Sequence, residues 1–259
     1  MGFVVIIPAR YASTRLPAKP LADIHGKPMV VRVAERAVLS GADSVWIVAD
    51  DERITAAVDS HGHTSLLTGT HHASGTDRLA EAVDKLGLSD DCIVVNVQGD
   101  EPLIDPQLIR AVAQELAGHP ESAVATLCHP IHDEDSFLNP NHVKVVMDQA
   151  GHALYFSRAP IPWPRDGWQQ PTPQSDALPI YRHIGLYAYR AGFLRQYNQL
   201  PASPLEHIES LEQLRVLWHG YRISVAISQL PAAPGVDTPS DLELARTQFA
   251  STLLSTLTP

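Results

Sequence analysis

The chain has 259 residues, a formal net charge of −10 at pH 7, 44% hydrophobic residues and 19% charged residues. This is an ordinary globular composition with enough residues for a sizeable core, and one large α/β domain or two smaller domains both fit the length. The negative charge argues against a protein that binds nucleic acid or membrane surfaces, so a local basic cluster is better explained by a small anionic ligand.

The two cysteines, Cys92 and Cys128, stand alone in apolar segments. Because there is no CxxC pair and no disulfide framework, we interpret both as buried small hydrophobic residues in a reducing compartment. The N-terminal apolar run is too short for a signal peptide, and no apolar stretch approaches the roughly 18 residues of a membrane span. We therefore expect a cytoplasmic protein.

In the first hundred residues, short β-branched runs alternate with amphipathic segments. The runs are nearly continuously apolar, which is typical of parallel strands covered on both faces. The predicted strands are 3–8, 45–49 and 93–97, and the predicted helices begin at Pro28 and cover 51–62 and 76–87. This order predicts a three-layer α/β/α fold with a mostly parallel sheet, in which ligands bind at the carboxyl ends of the strands.

The second half of the chain has a less regular pattern. A proline-rich stretch over 160–179 is interpreted as a loop or arm. The predicted strands are 123–127, 143–147, 153–156, 183–189 and 223–227, and the predicted helices cover 205–219 and begin at Thr238-Pro239. No repeat or long linker separates the halves, so we predict one domain with a sub-domain inserted in the second half.

The stretch 6–21, IIPARYASTRLPAKPL, carries three cations and no acidic residue. Arg10, Arg15 and Lys19 follow the first predicted strand, so they should lie at the carboxyl edge of the sheet. Arginine matches phosphate oxygens with a planar fork, lysine adds a compact charge, and Ser13 and the backbone can donate further hydrogen bonds. Neither GxxxxGK[ST] nor GxGxxG is present. A solvated surface loop is the alternative, but the strand exit and the acidic background favour a phosphate site.

Two aspartates are candidate ligands of a divalent metal. Asp100 follows the predicted strand 93–97 in the segment QGDEP, and Asp237 lies in a turn just before a capped helix. Mg²⁺ prefers oxygen ligands and keeps several waters, so a carboxylate past a core strand is well placed for it. Taken alone, each aspartate is better explained as a turn residue or an N-cap. If the two carboxylates lie close together, a metal site is favoured over two separate turn residues.

Seven segments in order resemble the 3-deoxy-D-manno-octulosonate cytidylyltransferase (CMP-Kdo synthetase) family and span nearly the whole chain. They are IPARYASTRLPAKPL, SGTDRLAEAV, VNVQGDEPLI, ALYFSRAPIPW, RHIGLYAYR, SPLEHIESLEQLRVL and GVDTPSDLE. The resemblance implies transfer of the cytidylyl group of CTP to the anomeric hydroxyl of Kdo, with release of diphosphate, for lipopolysaccharide biosynthesis. It also implies a cytoplasmic homodimer with Mg²⁺ as cofactor.

The resemblance implies one nucleotidyltransferase domain over 1–259, with a nucleotide-binding lobe over about 1–130 and 220–259 and a sugar-binding and dimerisation lobe over about 131–219. It assigns catalysis to Arg10, Arg15, Lys19, Asp100 and Asp237, of which the two aspartates hold the metal. It assigns CTP binding to Ala9, Arg10, Ser13, Arg15, Lys19, Ser74, Arg78, Gln98 and Asp100. It assigns Kdo binding to Arg158, Arg182, His183, Tyr187, Glu209 and Gln213, with Arg158 and His183 expected at the carboxylate of the sugar.

The chain departs from the family pattern at Ala18, where the family usually has glycine in LPGKP, and at His71, where an acidic residue is common. If position 18 requires φ > 0, alanine is strained there.

Several alternatives stay open. Ser74 could serve only as an N-cap, and Glu209 and Gln213 could belong to a polar helix face. The substrate could be 8-amino-Kdo or sialic acid, or the chain could be a non-catalytic nucleotide-binding relative.

Overall fold

The computed structural model describes residues 2–13, 15–72, 75–165, 167–168 and 180–256, so most of the predicted proline-rich arm lies outside the described residues. The strands are β1 Val4–Ala9, β2 Asp23–Ile24, β3 Lys27–Pro28, β4 Ser44–Ala49, β5 Thr64–Leu67, β6 Ile93–Asn96, β7 Val124–Pro130, β8 Lys144–Met147, β9 Ala153–Ser157, β10 Tyr181–Arg190 and β11 Ile223–Ile227. The helices are α1 Met29–Val38, α2 Glu52–Ser60, α3 Gly75–Lys85, α4 Pro106–Gly118, α5 Glu134–Leu138, α6 Ala191–Tyr197, α7 Pro204–Glu209, α8 Gln213–Trp218 and α9 Pro239–Thr256, and a 3₁₀ turn covers Lys19–Leu21. Within these ranges, no helix combines the length and apolar character that crossing a membrane requires.

The described residues form a nine-stranded sheet with the order β11-β7-β10-β6-β1-β4-β5, and β8 and β9 extend from β10. Strand β1 pairs in parallel with β4 and β6, β4 with β5, and β11 with β7. Strand β10 runs antiparallel between β6 and β7, so a strand from the second half lies inside the sheet that the first half begins. The predicted α/β fold with a mostly parallel sheet is confirmed.

The packing around strand β1 explains why its sequence is continuously apolar. Val5 and Ile7 belong to the apolar cluster on one face of the sheet, which includes residues of α1 and α4. Val4 and Ile6 belong to the cluster on the other face, with residues of α3 and α6. Because helices cover both faces, every position of the strand is buried.

The prediction of one helix over 205–219 was wrong, because the chain forms two short helices there. Helix α7 begins with a capping box in which the Ser203 hydroxyl accepts from the backbone of Glu206. It ends at Ser210, whose left-handed backbone (φ 53°) stops the helix before α8 begins. An apolar stripe continues through this break, so hydrophobic periodicity does not reveal it.

Candidate active site

A cavity of about 370 Å³ opens where β1 and β6 end. We call it the loop cavity, because the basic loop after β1 forms one of its sides. Its lining comes from four separate stretches of the chain. The lining residues are Pro8, Ala9, Arg10, Ala12, Ser13, Arg15, Lys19, Pro20, Gly75, Gln98, Gly99, Asp100 and Asp237. Most of the residues that the sequence assigns to CTP and to the metal therefore surround one space.

Backbone contacts bring Asp237 beside Asp100, although 137 positions separate them in the sequence. The amide of Val236 donates to the carbonyl of Asp100 at 2.8 Å. The carboxylate of Asp241, in the first turn of α9, accepts from the amides of Asp237 at 3.1 Å and Thr238 at 2.8 Å. The start of α9 thus fixes the turn that carries Asp237.

Gly99 allows the chain after β6 to pass close to the end of β1. A Cβ atom at this position would lie 2.8 Å from the carbonyl oxygen of Pro8. Moving backbone atoms aside would distort the end of β1, so glycine is needed to place Gln98 and Asp100 at the cavity.

Lys19 lies between the two candidate metal ligands. Its Nζ donates to Asp100 Oδ2 at 2.5 Å and to Asp237 Oδ1 at 2.9 Å, and Arg15 Nη2 also donates to Asp237 Oδ1 at 2.9 Å. Burial lowers the pKa of Lys19, but the hydrogen bonds that it donates to both aspartates and their negative charges outweigh this, so its pKa is raised overall. One cation reaches both carboxylates, so the two side chains are close enough to hold one divalent metal ion.

Ala18 adopts the left-handed conformation, with φ 51° and ψ 34°. Its carbonyl accepts from the amide of Leu21 at 2.8 Å, which closes the 3₁₀ turn that begins at Lys19. The strain expected for alanine at this position is therefore present, at a cost of roughly 1–2 kcal/mol relative to a right-handed residue.

Arg10 points a free guanidinium group at the loop cavity. Its Nη2 is buried and has no hydrogen-bond partner within the described part of the chain. Ser13 also lines the cavity, and its hydroxyl accepts from the amide of Leu16 at 3.4 Å. A buried cationic donor without a partner is costly unless an anion completes it, so this side of the cavity suits phosphate.

Arg78 lies behind the loop cavity and does not line it. Its side chain is fully buried and donates to Thr68 Oγ1 at 2.5 Å, to the carbonyl of Gly69 at 3.1 Å and to Asp50 Oδ2 at 3.3 Å. Burial lowers the pKa of Arg78, and the charge of Asp50 opposes that shift. Asp50 also accepts from the amide of Tyr11 at 2.9 Å, so Arg78 supports the basic loop through Asp50. Ser74, the other CTP candidate on this segment, lies outside the described residues.

A second cavity of about 240 Å³ adjoins the first. We call it the tyrosine cavity after Tyr187, Tyr189 and Tyr197, and it shares Gly75 and Gln98 with the loop cavity. The further lining residues are Thr76, Asn96, Val124, Ser210, Leu211, Glu212, Gln213 and Val216. Gln98 therefore stands at the junction of the two spaces.

The sequence reasoning did not select Asn96 or Glu212 for this cavity. Asn96 is the one polar residue of β6, IVVN, and a polar residue in an otherwise apolar strand is the signal that could have revealed it. Glu212 is placed here by the break after Ser210, which no sequence pattern indicated.

Of the six residues assigned to the sugar, Tyr187 and Gln213 line the tyrosine cavity. Arg158 and Glu209 instead join β9 to α7. Arg158 Nε donates to the carbonyl of Glu209 at 2.7 Å, and the Glu209 carboxylate accepts from Ser157 Oγ at 2.6 Å and from the amide of Arg158 at 2.9 Å. This network holds the end of α7, from which the cavity-lining residues of α8 follow.

His183 and Arg182 lie on β10 outside the tyrosine cavity. The His183 Nε2 atom lies 2.9 Å from Thr126 Oγ1, and its ring packs edge-on against Phe156. Burial lowers the pKa of His183 to about 3, so its imidazole is neutral at neutral pH. Arg182 pairs with Lys144 of β8 in the sheet, and burial lowers its pKa. The assignment of His183 to the sugar carboxylate stays a prediction.

A mostly parallel α/β sheet with a cationic loop after its first strand, facing a carboxylate pair, defines an enzyme that acts on a nucleotide phosphate. A family model described as cytidylyltransferase matches residues 4–223. The chain is also similar to a solved structure described as CMP:2-keto-3-deoxy-manno-octonic acid synthetase complexed with CTP. The identity is 43%, the match covers 97% of this chain and 100% of that one, and the TM-score is 0.87. The chain belongs to the cytidylyltransferase family.

Proposed function

We propose that the protein transfers the cytidylyl group of CTP to the anomeric hydroxyl of Kdo, giving CMP-Kdo and diphosphate. The observation that carries this proposal is the pair of adjoining cavities. The loop cavity combines three cationic side chains with two carboxylates, and among the described residues the buried Nη2 of Arg10 has no partner. The tyrosine cavity offers uncharged polar groups and Glu212 for a sugar. The relative that is 43% identical is described as a CMP:2-keto-3-deoxy-manno-octonic acid synthetase complexed with CTP, which supports both substrates.

In this proposal the triphosphate binds in the loop cavity against Arg10, Arg15 and Lys19. The sugar oxygen attacks the α-phosphorus as the bond to diphosphate breaks, so negative charge grows on the departing oxygens. Reactions of this type depend on positioning and on neutralising that charge more than on covalent help from the protein. In this proposal Arg15 and Lys19 stabilise the diphosphate, and Gln98 at the junction orients the two substrates.

Mg²⁺ is the proposed cofactor, held by Asp100 and Asp237. When bound, it supplies positive charge that lowers the pKa of the attacking hydroxyl and neutralises phosphate oxygens. Lys19 donates to both carboxylates. If Mg²⁺ bound to them, the ammonium group of Lys19 would be released to bind the triphosphate.

We also propose a cytoplasmic homodimer. Large apolar side chains are exposed in the second half of the chain, including Leu154 at 62%, Trp163 at 64% and Ile227 at 49%. Contact between two copies would cover such side chains, and light scattering of the purified protein measures the assembly directly.

The function is tested by measuring diphosphate release from CTP with Mg²⁺ and a panel of acid sugars: Kdo, 8-amino-Kdo and N-acetylneuraminate. We expect turnover with a Kdo form and far less with N-acetylneuraminate. No turnover with either Kdo form would refute the substrate assignment, and CTP binding without turnover of any sugar would favour a non-catalytic relative.

A further inference from the structure

Asn96 occupies a position where the surrounding residues would favour an apolar side chain. Its neighbour two positions earlier on the same face of β6, Val94, is fully buried in an apolar cluster. Asn96 itself is 3% exposed and lies between β1 and β10. Its Oδ1 is buried and has no hydrogen-bond partner within the described residues.

Gln213, which also lines the tyrosine cavity, has a buried donor that lacks a partner in the described part of the chain. It is 7% exposed, and its Nε2 is buried without a partner among the described residues. The residues that line the cavity therefore supply one buried acceptor and one buried donor, and each destabilises the folded protein while it has no partner. Because both residues line the cavity, a ligand that enters it can complete their hydrogen bonds.

The polarity of these atoms indicates the chemical group that completes them. A hydroxyl both donates and accepts, so it can satisfy Asn96 Oδ1 and Gln213 Nε2, whereas a carboxylate would be repelled by Oδ1. Among the described residues that line the tyrosine cavity, none is Arg, Lys or His, and Glu212 adds an acceptor. The cavity is therefore suited to neutral hydroxyls and not to an acidic group.

We propose that Asn96, together with Gln213, determines specificity by binding hydroxyls of the exocyclic tail of the acid sugar. In Kdo the carboxyl group is bonded to the anomeric carbon that carries the attacking oxygen, so the carboxylate stays near the junction at Gln98. The tail, at the other end of the sugar, then extends into the tyrosine cavity. This inference rests on the proposed function for the identity of the sugar.

The test compares Asn96→Leu, which has a similar volume but no hydrogen-bonding atoms, with the wild type. Ser122→Ala is the matched control, because the Ser122 hydroxyl is also buried without a partner among the described residues but does not line the cavity. Calorimetry measures binding of Kdo, 7-deoxy-Kdo and 8-deoxy-Kdo in the presence of a non-hydrolysable CTP analogue, and KM and kcat are measured for the same sugars. Gln213→Met is tested in parallel, in case Asn96→Leu does not fold.

Asn96→Leu should weaken Kdo binding and raise KM by about 10- to 100-fold, with kcat changed far less and the Kd of the CTP analogue within about twofold. For the analogue that lacks the contacted hydroxyl, wild type and variant should bind alike, and Ser122→Ala should behave as wild type throughout. Equal losses for Kdo and both deoxy sugars, or no loss at all, would overturn the inference. Wild-type protein that binds Kdo without turnover would refute the proposed function alone, and wild-type protein that does not bind Kdo would refute both.

Discussion

Replacing Ala18 with glycine should stabilise the protein, because the left-handed backbone at this position penalises a side chain. Ala18 has φ 51° and opens the 3₁₀ turn that carries Lys19. The Cβ atom costs roughly 1–2 kcal/mol in this conformation. Glycine removes that cost but adds freedom to the unfolded chain, which costs about 0.4–1 kcal/mol.

The midpoints of these two ranges leave a net gain of about 0.8 kcal/mol in the free energy of unfolding for Ala18→Gly. Urea denaturation measures it as a higher midpoint with an unchanged slope. The matched control is Ala12→Gly, an exposed position in the same loop without a left-handed backbone. It has no strain to relieve and should lose about 0.4–1 kcal/mol.

The two glycine variants should thus shift stability in opposite directions. If Ala18→Gly were no more stable than the wild type, or if both variants shifted equally, the reasoning about strain at Ala18 would be refuted.

Two further predictions concern Arg78 and His183, which do not line either cavity. Arg78→Leu should lower the free energy of unfolding by about 3 kcal/mol, because it leaves the carboxylate of Asp50 without its buried partner. Urea denaturation measures this loss. A loss below about 1 kcal/mol would contradict the role of Arg78 in supporting the basic loop. His183 has a folded pKa of about 3 against 6.5 when unperturbed, so the unfolded state takes up its proton first as the pH falls. The wild type should therefore lose up to about 2 kcal/mol more stability than His183→Gln between pH 6.5 and pH 5, and parallel pH profiles would count against a neutral buried imidazole.

The loop cavity was largely predictable from the sequence, because its parts are local. A loop that follows a buried strand must leave the sheet at its carboxyl edge, so Arg10, Lys19 and Asp100 could be placed there from strand order alone. Asp237 required the turn before α9 to pack against Asp100, and the resemblance supplied that pairing where spacing could not.

The tyrosine cavity was less predictable, because side chains from separate strands and helices form it. The left-handed Ser210 breaks the expected helix and redirects Glu212 and Gln213, and no composition rule indicates serine for that conformation. Likewise, the sequence identifies Arg158 and His183 as polar residues but does not reveal which groups they contact. In the structure Arg158 donates to backbone carbonyls, and burial keeps the imidazole of His183 neutral.

The most direct test of the account is single-turnover formation of CMP-Kdo from CTP, Kdo and Mg²⁺ by Asp100→Asn and Asp237→Asn. The matched control is Asp105→Asn, which removes a carboxylate outside the loop cavity and keeps a side chain able to cap α4. Both site variants should slow the chemical step by about 10³-fold or more while remaining folded, because several kcal/mol of charge stabilisation is lost. The control should react at the wild-type rate. Wild-type rates in either site variant would contradict the claim that this carboxylate pair forms the catalytic metal site.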